Sequence, residues 1–168
     1  MANQDIKLIH DLQHVPAESY DQIIDQYVRY AGGFRYVKAV YLVGSMDDPG
    51  ISDIDLIVVV DPGINPLGMN RLSIHQANIS QLQKYLFAHD IYLYDSETFR
   101  DVHYTNYFGS LKLIYGTPQM INEPSPAERQ ILSIQIIFDF IASRLAMFLR
   151  MLASGTVPLR GGVLLRVA

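Results

Sequence analysis

The chain contains no cysteine. Disulfides, thiolate metal centres and cysteine nucleophiles are therefore excluded. Basic residues are scarce too: 13 Lys and Arg stand against 17 Asp and Glu, for a net charge of −4. That balance argues against a large electropositive groove for nucleic acid, though a local basic patch stays open. No Gly-x-Gly-x-x-Gly or Walker pattern occurs, and there is no internal repeat or low-complexity segment. The first residues, Met1 to Leu8, lack the apolar run of a signal peptide, so a cytoplasmic location is the expectation. What remains is a 168-residue chain that is 49% hydrophobic, enough for a real core and too apolar for disorder.

The pattern along the chain predicts alternating helices and strands. Ile23, Ile24, Tyr27 and Val28 recur at helical spacing within about 17–30, and Gly32-Gly33 supplies a stop. Tyr36 to Val43 reads as a strand, and so does Asp53 to Val60. The connection from Met46 to Ser52 carries Pro49-Gly50, which makes the two strands antiparallel neighbours. A loop is expected over Asp61 to Gly68. A helix is expected over Arg71 to Phe87, with Leu72, His75, Ile79, Leu82 and Leu86 on one side. Ile91 to Tyr94 and Leu111 to Tyr115 read as two further strands, and Glu123-Pro124-Ser125-Pro126 marks a boundary where Ser125 can cap the next helix.

That final helix, roughly Ala127 to Leu152, is apolar almost all round. Its length would allow a membrane span, but Asp139 and Arg144 near its middle are expensive in lipid. It is expected to be covered by its own domain, by a homodimer partner or by a further domain. The apolar tail from Arg160 to Ala168 has no closing signal, which suggests a module that continues past residue 168. The expected organisation is a first domain over 1–122 and a helical segment over 123–168. The fold class is α/β (α+β by another convention): a small mixed sheet flanked by helices, with a long apolar C-terminal helix.

The most informative stretch runs from Leu42 to Leu56. A hydrophobic run stops at Gly44-Ser45, and after a short turn Asp53 and Asp55 lead into Leu-Ile-Val-Val-Val. In an extended segment the two acids point to one side, because side chains alternate with period two. Two carboxylates on one face suit Mg²⁺, and the Gly-Ser turn can present N–H groups to a phosphate. The plainer reading is a polar strand start capped by Asx turns.

The order helix, strand, Gly-Ser, turn, Asp-x-Asp strand, helix, strand resembles the nucleotidyltransferase superfamily with the DNA polymerase β-like fold. Val43, Gly44, Ser45, Ser52, Asp53 and Asp55 carry the resemblance, which extends over about 18–116. It implies a transferase moving a nucleoside monophosphate from a nucleoside triphosphate to a hydroxyl on a small molecule or a protein. In that case Asp53 and Asp55 hold Mg²⁺ or Mn²⁺. Gly44 lets the backbone approach the triphosphate, Ser45 bonds a terminal phosphate, and Ser52 precedes the acids as in many members.

The resemblance also asks for a third carboxylate on a later strand, as metal ligand and proton acceptor. Aligned on the Leu111 strand, that position falls closest to Tyr92. Asp90 lies two residues earlier on the same strand face and enters the site with a small register shift. Asp95 falls on the opposite face and suits a turn with Ser96. If neither acid serves, the fold remains a nucleotide-binding or interaction module without transfer. Elsewhere, His10 and His14 have the spacing of a helical metal pair, but with no third ligand a solvated N-terminal face is the expected reading. His75 and His89 are expected at the edge of the core or near the site, and His89, beside Asp90, is a candidate for substrate contact.

Overall fold

The computed structural model describes residues 7–10, 15–44, 53–80, 85–87, 89–102 and 111–159. The chain separates into two compact units, one over Val15–Glu123 and one joining Met1–His14 with Pro124–Ala168.

The larger unit is built on a four-stranded mixed sheet. A first helix, α1 (Ala17–Gly32), is followed by strands β2 (Val37–Val43) and β3 (Asp55–Val60). A short helix α2 (Pro66–Asn70), strand β4 (Tyr92–Asp95), a 3₁₀ turn (Thr98–Asp101) and strand β5 (Leu111–Gly116) complete it. The order across the sheet is β4-β3-β2-β5. β2 is antiparallel to both β3 and β5, whereas β3 and β4 run parallel.

β3 is central, and Leu56 to Val60 are fully buried. An unbroken Leu-Ile-Val-Val-Val run is what a strand covered on both faces requires. One face packs Leu56, Val58 and Val60 against Tyr20, Ile23, Ile24 and Tyr27 of α1. The other packs Ile57 and Val59 with Ala39, Tyr41, Phe99 and Val102. Tyr41 and Phe99 stack there with ring centroids 5.1 Å apart. β5 ends on Gly116 at φ +81°, where a Cβ would lie 2.0 Å from the Lys38 carbonyl oxygen. Only glycine fits that crossing of β2 and β5.

Two expectations change. Pro66–Asn70 is a short helix rather than loop, because Asn65 caps it by accepting from the Gly68 N–H at 2.8 Å. Conversely, 71–80 is a chain of turns, not the start of a long helix. Two successive backbone donors are taken by side chains, Ile74 N–H by Asp90 and His75 N–H by the Ser73 hydroxyl, while their neighbours make turn bonds to backbone carbonyls. Leu72, Ile74, Ala77 and Ile79 are buried by this winding, while His75 is exposed. Tyr27 locks the segment down by donating its hydroxyl to the Leu72 carbonyl at 2.6 Å, and burial raises its pKa well above the usual phenol range.

The second unit holds α3 (Pro126–Ser154) and a two-stranded parallel pair of β1 (Lys7–His10) and β6 (Thr156–Leu159). α3 begins as expected at Ser125. The Ser125 hydroxyl accepts from the Glu128 N–H, and the Glu128 carboxylate accepts from the Ser125 N–H, a complete capping box. It is long and apolar enough, by length and composition, to cross a membrane. Its large apolar side chains are mostly exposed. His10 closes a strand, so it is not half of a helical His pair; His14 lies outside the described residues.

Candidate functional site

The site sits at the N-terminal end of β3. Ile54 is buried in the α1-side core and donates its N–H to the Leu86 carbonyl at 2.8 Å. With Ile54 turned inward, Asp53 and Asp55 flank it towards the other face, where alternation carries on through Ile57 and Val59. Asp55 pairs with Val43 across the β2–β3 ladder. Next to Val43, Gly44 turns at φ +74°, and no atom of the described residues lies within 4 Å of the place a Cβ would take. Ser45 and Ser52 lie outside the described residues.

Opposite Asp55 stands His89. Its Nε2 is 2.8 Å from Asp55 Oδ1. The imidazole thereby covers Oδ1, which is buried from solvent. His89 Nδ1 faces the Asp90 carbonyl at 2.5 Å, and Tyr92 Oη lies 3.1 Å from Nε2. A ring nitrogen against a carbonyl must carry its proton, and one against a carboxylate is best satisfied when it carries one too. The Asp55 carboxylate accordingly raises the His89 pKa above its ordinary value, against the opposing effect of partial burial. The Tyr92 ring packs edge-on to the imidazole with centroids 4.6 Å apart.

Asp90 is engaged elsewhere. Oδ2 accepts from the Ser73 hydroxyl at 2.5 Å, and Oδ1 accepts from the N–H groups of Ile74 and Ile91, each at 2.9 Å. The carboxylate thus pins the 73–74 turn to the entry of β4. Among the described residues no group of three His, Asp or Glu side chains is arranged to hold a metal ion. Asp53 and Asp55 share a side of the strand; Asp90 does not complete a triad with them. Asp95 is a turn cap, accepting from the N–H groups of Glu97 and Thr98, and the Thr98 contacts hold its pKa below the usual value.

The β3–β4 register pairs Ile57 with Tyr92. Tyr92 therefore lies on the face of Asp55, at the position where the sequence alignment put the third acid. The role of His89 against Asp55 was not readable from the sequence beyond the His89-Asp90 pair itself. It depends on how a non-strand residue folds back ahead of β4.

No family model matches the chain, and no curated protein matches it. Solved structures do show similarity to it. One is a tri-AMPylated Shewanella oneidensis HEPN toxin in complex with MNT antitoxin. It is 17% identical over 80% of this chain and 98% of that chain, with a TM-score of 0.32. A toxin–antitoxin structure with AMP-PNP is 17% identical over 79% of this chain and 98% of that chain, with a TM-score of 0.33. The toxin–antitoxin MntA-HepT is 16% identical over 80% and 98%, with a TM-score of 0.32. At such TM-scores the functional reading rests on the chain's own geometry.

Proposed function

We propose that the Asp53–Asp55 face binds a divalent cation with a nucleoside triphosphate, and that the protein is a nucleotidyltransferase acting on a hydroxyl of a small molecule or a protein. The observation that supports this is the placing of Asp53 and Asp55 on one side of the chain beside Gly44, with the buried Asp55 Oδ1 already held in an ionic contact by His89 Nε2 at 2.8 Å. A buried carboxylate oxygen is kept beside positive charge, and a metal cation would take the place that the imidazole holds here. Mg²⁺ commonly takes one or two carboxylates and draws its remaining ligands from phosphates and water, so two acids suffice to hold it. Mn²⁺ fits the same oxygen donors. When bound, the ion would neutralise phosphate charge at the α-phosphorus.

The chain's own residues divide the rest of the work. Asp53 and Asp55 would hold the cation, Gly44 would let the protein backbone come close to the triphosphate, and Ser45 and Ser52 are assigned to phosphate contact from the sequence. The acceptor hydroxyl oxygen would bond to the α-phosphorus as the bond to the bridging oxygen breaks and pyrophosphate leaves, with the hydroxyl proton passing to solvent. Asp90 would serve as third ligand and proton acceptor only by leaving the Ser73 hydroxyl and the N–H groups of Ile74 and Ile91.

That engagement favours a second reading, a module that binds the nucleotide without transferring it. Incubation with Mg²⁺, each α-labelled triphosphate and a panel of acceptors separates the two. Pyrophosphate release with label transfer, lost in Asp55→Asn, supports the transferase. Binding without release supports the module, and no nucleotide binding sinks both.

A further inference from the structure

α3 carries a regular seam. Ile131, Phe138, Leu145 and Leu152 form one row and Ile134, Ile141 and Phe148 the other, so large apolar residues alternate at spacings of three and four. All seven are between 47% and 68% exposed. Off the two rows Ile137, Phe140 and Leu149 are exposed as well, and the other large apolar side chains are at least partly covered. Leu132 is buried and Ile136, Met147 and Met151 are partly covered, and these lie on the side of the helix away from the seam. The polar residues Arg129, Ser133, Asp139, Ser143 and Arg150 also lie off it. Ser133, Ser143 and Ser154 return their hydroxyls to carbonyls of the same helix, which leaves no side-chain donor of theirs seeking a partner. The Arg144 guanidinium lies 4.4 Å over the Phe140 ring.

We infer that this seam packs against the same seam of a second copy, making the protein a homodimer through α3. An apolar repeat of 3.5 residues is the period at which one α-helix follows another, since each knob then meets a hole at every turn. Lipid sets no such period, and Asp139 and Arg144 near mid-helix weigh against burial in a bilayer. The area fits as well. The seven seam residues expose on the order of 800 Å² in all, which is about what one partner brings to a standard stable interface. A second copy presents the identical seam, so every layer of a symmetric pair is filled by a large apolar side chain. This goes beyond the nucleotide reading and does not depend on it.

The test is the solution mass of the full chain by sedimentation velocity across the micromolar range. The expected mass is twice 19.0 kDa. Ile141→Glu and Phe138→Glu, on the seam, raise the dimer dissociation constant by about a hundredfold or more. Phe140→Glu, off the seam, leaves the mass unchanged, and so does Asp55→Asn. Because the chain has no cysteine, single cysteines give a second readout that needs no disruptive charge. Under mild oxidation a mixed set of Ile134→Cys, Phe138→Cys and Ile141→Cys variants yields covalent dimers, and Phe140→Cys does not. A monomeric wild type, equal dissociation by Phe140→Glu, or recovery of the chain in the lipid fraction of phosphatidylcholine vesicles would overturn the inference.

Discussion

His89 Nε2 rests 2.8 Å from Asp55 Oδ1 while its Nδ1 is held by the Asp90 carbonyl. One imidazole thus joins the acid strand to the segment leading into β4. The contact occupies the oxygen that a cation would take, so ring and metal compete for the same charge.

The pair has a defined pH signature. Asp55 raises the His89 pKa in the folded chain above its ordinary value of 6.5. A raised folded-state pKa stabilises fully below the unfolded value and loses that contribution as pH climbs through the folded one. Thermal stability should therefore fall as pH rises from about 6 upward, and His89→Gln should flatten that slope. His89 is 40% exposed, so after solvent screening the effect should stay within about 1 kcal/mol. Melting curves at a series of pH values, read for both proteins, measure it.

Asp90 has three donors and should behave as a structural residue. Asp90→Ala removes the acceptor of two N–H groups and one hydroxyl and should cost about 1–3 kcal/mol of unfolding free energy. Urea titration gives the number. Unchanged stability together with weakened Mg²⁺-dependent nucleotide binding would instead assign Asp90 to the metal.

The same turn segment is tied down from the helix side. Tyr27→Phe leaves the buried Leu72 carbonyl without its 2.6 Å donor. A loss of about 1–2 kcal/mol is expected, measured by denaturant unfolding.

Gly116→Ala combines a left-handed φ with a Cβ that would overlap the Lys38 carbonyl oxygen. The β2–β5 ladder must shift to admit it. Destabilisation of about 2–4 kcal/mol, or loss of soluble protein, is the expected outcome by the same titration.

These positions show what the sequence could and could not disclose. The Leu56–Val60 run, the Gly32-Gly33 stop and the Ser125-x-x-Glu128 box act over one or two turns of chain, and each sits where its local chemistry demands. The 71–80 segment misled because its apolar spacing suits a helix. Asp90, distant in sequence, captures the Ile74 N–H that helix formation needs. Asp90 thereby left the place the strand pattern offered it. Tyr92 and His89 face the site through the parallel β3–β4 register, a tertiary pairing that no short motif encodes. The pairing of β1 with β6 joins segments near opposite ends of the chain and left no local trace either.

The central claim is that Asp53 and Asp55 form a cation-dependent triphosphate site, and titration calorimetry of nucleoside triphosphates with and without Mg²⁺ tests it most directly. Wild-type protein should bind a triphosphate only when the cation is present, and a folded Asp55→Asn variant should bind at least about tenfold more weakly. Equal binding by the two proteins, or binding indifferent to Mg²⁺, would contradict it.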